Sequence, residues 1–474
     1  MIRRVTRTPT RRGPRRSTTR PQGTRTSGVD RGLLLVLGVV VLTVLALLGA
    51  GTVPRATGEH GPTSRTATLG RDLSCAGGLP GAVARVGHVG PASGGTTVDG
   101  RPATRRAFAL GRQPSRVHVS ARQAARGYAV RSASSARWLA AGACPSPRPD
   151  WWFVGVGGST SHDSVLTLDN PRPGAAIVDV DVLGPDGPVR SPGLHGLRID
   201  SGHAVRLDLK KVAPSVGDLA VHVSASRGLV TASAAEVWSA SVIEKPANDW
   251  VTDQPGASRS ATLVGLAASP RRATVLIANP AQKEAIVQLA LVGRNGTFAP
   301  ARDASVRVPP STVLPVDLGA VARSRPMAVR LSSQVPVAAT VRTTRGLDEA
   351  YAGSAPPIGA GAVVGLPVGE PAQLVLVGDA ATGKGAAAPV TAKVVVTGYD
   401  AAGGSVGSRR VNVPPRGAAT IPVWAHAVAL RVTTDQGRVT GNVLLGKPGG
   451  NTLAVIPLSP TSADTHVPTV RPGW

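Results

Sequence analysis

Apolar residues recur at every second position in many short stretches of this chain. Residues 177–183 read IVDVDVL and residues 286–292 read IVQLALV. A period of two puts alternate side chains on opposite faces of a pleated strand, one face buried and one wet. Further strands are expected in SVLTLDN from Ser164, TVLIANP from Thr274 and QLVLVGD from Gln373. Asp186-Gly187 and Asn295-Gly296 follow the alternating runs and are tight-turn signals between strands. Apart from one segment near the N-terminus, no run keeps a 3.6-residue period long enough to predict a helix.

These stretches repeat. Residues 168–187 read LDNPRPGAAIVDVDVLGPDG and residues 277–296 read IANPAQKEAIVQLALVGRNG. At this spacing Asn170 meets Asn279, Pro171 meets Pro280, Ile177 meets Ile286 and Gly187 meets Gly296. A weaker third copy pairs Val413-Pro414-Pro415 with Val308-Pro309-Pro310, and Ala429-Leu430-Arg431-Val432 with Ala328-Val329-Arg330-Leu331. Further strands are expected at 196–200, 204–209, 219–224 and 229–235 in the first copy, and at 304–308, 312–316, 327–332 and 336–343 in the second. A period near 100 residues with about seven short strands predicts tandem immunoglobulin-like β-sandwiches. A β-propeller is the alternative, but the shorter period of a blade is not found. A unit bracketed by Cys75 and Cys144 shares Val-His-Val-Ser-Ala at 117–121 with the same run at 221–225, and reads as a fourth, divergent sandwich.

The exception to the strand pattern is residues 33–53, LLLVLGVVVLTVLALLGAGTV, which carry no charge. At about 1.5 Å per residue such a helix spans roughly the 30 Å of a bilayer core. Ten arginines and one aspartate precede it in residues 1–32, which predicts a cytoplasmic N-terminus and an extracytoplasmic remainder. The reading is an uncleaved signal anchor at the plasma membrane, with a cleaved signal peptide as the alternative. Two cysteines on the outer side predict one disulfide, Cys75 to Cys144. The expected layout is a basic disordered tail (1–32), a transmembrane helix (33–53) and a stalk (54–71). A disulfide-bearing β domain (72–148), three β-sandwich repeats (149–250, 251–353 and 354–460) and a C-terminal tail (461–474) follow.

Composition adds to this picture in two ways. The 57 Gly and 41 Pro among 474 residues favour many short strands over long helices. The net charge of +26 invites a nucleic-acid reading, but the basic excess lies on both sides of the apolar segment, so no nucleic-acid partner is expected. Arginine forks suit carboxylate and phosphate oxygens, so envelope proteins or anionic wall polymers are the expected partners, beside the membrane itself.

Candidate chemistry is sparse. Gly378 to Gly385 nearly spells a phosphate-binding loop, yet Gly385 stands where a Ser or Thr would hold magnesium, and Pro389 blocks the following helix. Ser159, Ser161, His162 and Asp163 are neighbours in sequence, which does not suit a catalytic relay, and they read as a polar loop. Asp179, Asp181 and Asp186 lack the loop of a calcium site and read as a solvated strand face. His118 and His222 read as strand-face residues, and Asp348-Glu349 as linker polarity. Trp151-Trp152-Phe153 is a concentration of aromatics in an aromatic-poor chain, and either packs at a junction between units or contacts a ligand. No catalytic residue, metal ligand or cofactor is expected.

Cys75, Cys144-Pro145, the run Asp150-Trp151-Trp152-Phe153-Val154-Gly155 and the Asn170-Pro171 repeat motif together carry a resemblance. With its basic N-terminus and single membrane segment, the chain resembles an uncharacterised family of actinobacterial envelope proteins. That resemblance implies no reaction, cofactor or catalytic residue. The expectation is a membrane-anchored, extracytoplasmic, non-catalytic scaffold or binding protein of the cell envelope. The alternatives are a binder of wall glycan or anionic polymer and an envelope hydrolase or transferase.

Overall fold

The computed structural model describes residues 70–460, except 92–94, 240–245, 255, 267–269, 301–302, 320–326 and 380–389. The tail, the apolar segment at 33–53, most of the stalk, residues 461–474 and most of the glycine-rich loop after Gly378 lie outside these residues. Among the described residues no helix is long and apolar enough to cross a membrane.

The expected strands are present and the fold is all-β, built from separate antiparallel sheets. The second module, the first full copy of the repeat, shows the plan. One sheet places Gly187–Val189, Ala176–Gly184, Leu219–Arg227 and Asp150–Val156 side by side. The other places Ala204–Asp208, His162–Asp169, Thr231–Trp238 and Ala247–Val251 side by side. Val178, Val180, Val221 and Val223 of the first sheet pack against Leu166, Leu168, Ala232 and Ala234 of the second. The alternation read in IVDVDVL is therefore the two faces of one sheet. Val178, Val180 and Val182 are buried in the sandwich, and Asp181 is exposed outside it.

The same strand order recurs in all four modules, including the cysteine-bracketed one. There the disulfide Cys75–Cys144 joins the first strand, Arg71–Cys75, to the residue after the last, Leu139–Ala143. Both sulfurs lie in the small core with Leu73, Val86 and Val117. In the third module one strand of 18 residues, Ala328–Arg345, serves both sheets.

The modules close into a ring. The last strand of each lies against the last strand of the next. Leu139–Ala143 meets Ala247–Val251, which meets Asp348–Gly353, which meets Ala454–Pro457, which returns to Leu139–Ala143. Apolar contacts seal each junction. Trp138 and Ala140 pack with Ala247 and Trp250, and Trp152 and Val154 pack with Leu276 and Val313. Val329 and Leu331 share a core with Val375 and Val455, and Leu374 and Val443 share one with Tyr128 and Leu139.

Candidate functional site

Three features of this ring bear on function: a buried polar centre, a groove at one junction, and an equivalent basic position on all four first sheets.

The polar centre is made where the last strands converge. Asp348 and Glu349 begin one of these strands and are buried, so they are structural groups of the ring and not linker polarity. Asp348 Oδ2 accepts from Leu139 N of the first module at 3.0 Å and from Leu453 N of the fourth at 2.8 Å. Burial lifts the Asp348 carboxyl to about 8, against the pull of its backbone N–H donors. Burial likewise lifts Glu349 to about 7, although Arg342 Nε lies 3.2 Å away. Asp249 and Glu236 are also raised, in each case chiefly by burial. Arg131, pushed down to about 10 by the same burial, lies 4.5 Å above the Trp250 ring and donates to Ala76 O and Ser233 Oγ.

His162 is not in a polar loop. It opens the strand His162–Asp169 and is buried. Its Nδ1 lies 2.8 Å from Glu236 Oε1, and Ser164 Oγ donates to the other oxygen of Glu236. The carboxylate thus stands between serine and histidine. A nucleophilic relay needs the histidine between the serine and the acid, so this arrangement does not activate Ser164. Ser159 Oγ is used locally, accepting from His162 N.

The aromatic run on Asp150–Val156 is buried throughout, with Trp151 at 0%, Trp152 at 5% and Phe153 at 1% exposure. Trp151 and Phe153 face the core of their own sandwich, with ring centroids 6.5 Å apart. Arg148 covers Trp151 at 3.5 Å, and Trp151 Nε1 donates to Arg148 O and Val230 O. Trp152 faces the other way, into the junction with the third module, and stacks on His222 at 4.4 Å.

Trp152 and His222 also line a groove of about 830 Å³. Its other walls are Asp181, the 188–195 stretch with Arg190 and His195, and Pro280, Gln282 and Ser311 of the third module. His222 Nε2 lies 2.9 Å from Asp150 and its Nδ1 3.5 Å from Asp181. Burial opposes charge on this imidazole, but Asp150 and then Asp181 outweigh it and hold its pKa above the ordinary histidine value. Asp181 therefore belongs to a histidine pair in a groove. Asp179 lies 3.7 Å from His195, and no group of three or more metal-ligating side chains is found among the described residues.

His222 has a counterpart in every module. It pairs across the sheet with Asp181, His118 pairs with Thr97, Arg330 with Ala290, and Arg431 with Thr397. His118 Nδ1 lies 2.7 Å from Asp72, which also meets Arg172 of the second module at 3.4 Å. Arg330 donates to the carbonyl of Gly378 in the fourth module. In the sequence the repeated Val-His-Val-Ser-Ala aligns His118 with His222, and the paired runs at 328–331 and 429–432 align Arg330 with Arg431, but nothing joins the two pairs.

The fold defines an all-β protein of paired sheets, and comparison with known proteins places it more closely. Residues 96–424 match a family described as "Family of unknown function (DUF5719)", and the chain belongs to that family. No functionally curated protein matches it. Among solved structures, the crystal structure of Streptomyces avermitilis alpha-L-rhamnosidase complexed with L-rhamnose aligns over 82% of this chain and 55% of that one, at 10% identity. The chain thus spans about half the length of that enzyme, and at a TM-score of 0.11 the likeness carries no argument.

Proposed function

We propose that this chain is a membrane-anchored, extracytoplasmic protein of the cell envelope that works as a non-catalytic scaffold or binding protein. The apolar segment at 33–53 with its arginine-rich approach supports the anchor and its orientation. The Cys75–Cys144 bond suits an oxidising compartment. The domains are proposed to be those expected from the repeats, 72–148, 149–250, 251–353 and 354–460. Each is read as immunoglobulin-like, because it is built from two facing antiparallel sheets with its second and third strands in opposite sheets; in the second module His162–Asp169 pairs with Ala204–Asp208, and Ala176–Gly184 with Leu219–Arg227.

One observation carries the non-catalytic reading. The ionisable groups that most resemble catalytic residues, His162, Glu236, Arg342, Asp348 and Glu349, are spent on contacts within and between modules. Groups held this way stiffen a platform, and surfaces between and beside the modules remain to bind. Cell fractionation with external protease tests the proposal. Full-length protein is expected in the membrane fraction, with residues beyond 53 cut from outside. Recovery of the mature chain in the cytosol overturns it.

A further inference from the structure

The equivalent basic position is satisfied internally in three modules. His118 has Asp72, His222 has Asp150 and Asp181, and Arg330 has the Gly378 carbonyl. Arg431 of the fourth module is exposed and has no hydrogen-bond or ion-pair partner for its side chain among the described residues. It does not stand alone. Arg431 is opposite Thr397, Arg410 is opposite Val395 from the other side, and Lys393 lies two residues before Val395 on the same strand. Alternation puts all of these on one face of the sheet Gly361–Gly365, Ala429–Gln436, Ala392–Tyr399, Ser405–Val413. Arg410 and Arg431 flank the strand between them, so they stand about 10 Å apart laterally, two strand spacings.

Lys393 and Arg410 are likewise exposed and unpaired among the described residues. Thr397, Ser408, Asn412 and Thr433 lie on this face with the cations, and half-buried Val395 lies between Arg410 and Thr433. The four strands contain a single carboxylate, Asp435, in the bulged end of Ala429–Gln436. The second module differs at the matching strand, where Asp179 and Asp181 occupy the outer face. The large apolar side chains exposed on the described surface are Val83, Phe298, Val368 and Val390, and none belongs to these strands. Val395 on this face is half-buried, so the face offers no exposed large apolar side chain to insert into a bilayer. Its spaced cations suit successive charges along a strand-like ligand, its arginine forks suit phosphate oxygens, and its hydroxyl and amide groups suit a polyol.

We propose that the outer face of the fourth module, through Lys393, Arg410 and Arg431, binds a linear polymer of phosphodiester-linked polyol units. This rests on the reading of the chain as a binding protein and names one ligand class for it. The test uses the full chain in neutral detergent and measures binding to immobilised poly(glycerol phosphate) over a range of salt. Because the arginine-rich tail adds its own attraction, the comparison is between two triple variants of equal charge. One is K393Q/R410Q/R431Q. The other is R105Q/R137Q/R259Q, which removes three exposed arginines from other surfaces.

The face variant is expected to lose roughly tenfold or more in affinity at low salt, and its log–log salt slope to fall by about 2 to 3, as for three lost phosphate contacts. The control is expected to stay within about threefold of the parent. Equal losses in both variants, or none in the face variant, overturn the proposal. So does face-dependent binding to phosphatidylglycerol vesicles with none to the polymer, which would make the face a lipid-binding surface. Neutral dextran should not bind. These failures leave the fractionation result untouched, so the ligand assignment and the envelope assignment fall separately.

Discussion

Asn170 and Asn279 do the same work one repeat apart. The Asn170 amide donates to Gly174 O and Ile199 O, and its oxygen accepts from Arg172 N. The Asn279 amide donates to Lys283 O, Val308 O and Pro309 O, and its oxygen accepts from Ala281 N. Each side chain staples the loop after its strand to a distant turn, and the proline that follows restricts the loop. The third copy has Gly378 here, and a β-carbon at that position would overlap the Pro414 carbonyl, so the two chains close up where the asparagine otherwise sits. The sequence repeat made the Asn-Pro motif visible, but not its job, since the partners of Asn279 lie up to 30 residues away. Asn279→Ala leaves buried carbonyls unpaired and is expected to cost about 2–3 kcal/mol, read as a lowered midpoint in urea unfolding. An unchanged midpoint would show that water replaces the amide.

At the scale of elements, glycine placement decides where one strand ends and the next begins. Gly228 and Gly437, with φ of 73° and 74°, turn the chain between the two sheets of the second and fourth modules. The matching stretch of the third module, Ser332-Ser333-Gln334-Val335-Pro336, has no glycine, and the strand runs on from Ala328 to Arg345. The two strands expected at 327–332 and 336–343 are thus one element with a change of partners. Other glycines serve close approach. A β-carbon on Gly365 would overlap the Tyr128 ring at the junction of the fourth and first modules. Gly365→Ala is expected to destabilise by about 1–3 kcal/mol through overpacking, with the loss seen first as faster amide exchange in Leu139–Ala143 and Ala454–Pro457. Protection unchanged in those strands would mean that the junction yields without cost.

For the whole molecule, the buried acids make ring stability depend on pH. Asp348 and Glu349 keep their protons to about 8 and about 7 when folded, whereas unfolded carboxyls release theirs near pH 4. The folded chain binds more protons across that interval, so this contribution is full below about pH 4 and is lost as pH rises towards about 8. Each pH unit costs about 1.4 kcal/mol per group still titrating. Tm is expected to fall from about pH 6 to about pH 8 and then to level off, and D348N to flatten the fall. A Tm that rises over that range would show that the acids are ionised in the folded ring.

Local pattern was enough to determine the strands, the repeat and the all-β class, because alternation and turn residues act over a few positions. It also marked Cys75 and Cys144 as a pair, there being no other cysteine to bond. Closure into a ring, the burial of Trp151 and Asp348, and the contrast between the satisfied His222 and the open Arg431 were decided only by tertiary structure. Each depends on which distant strand supplies the neighbour, and a buried carboxylate reads in sequence like one that is solvated.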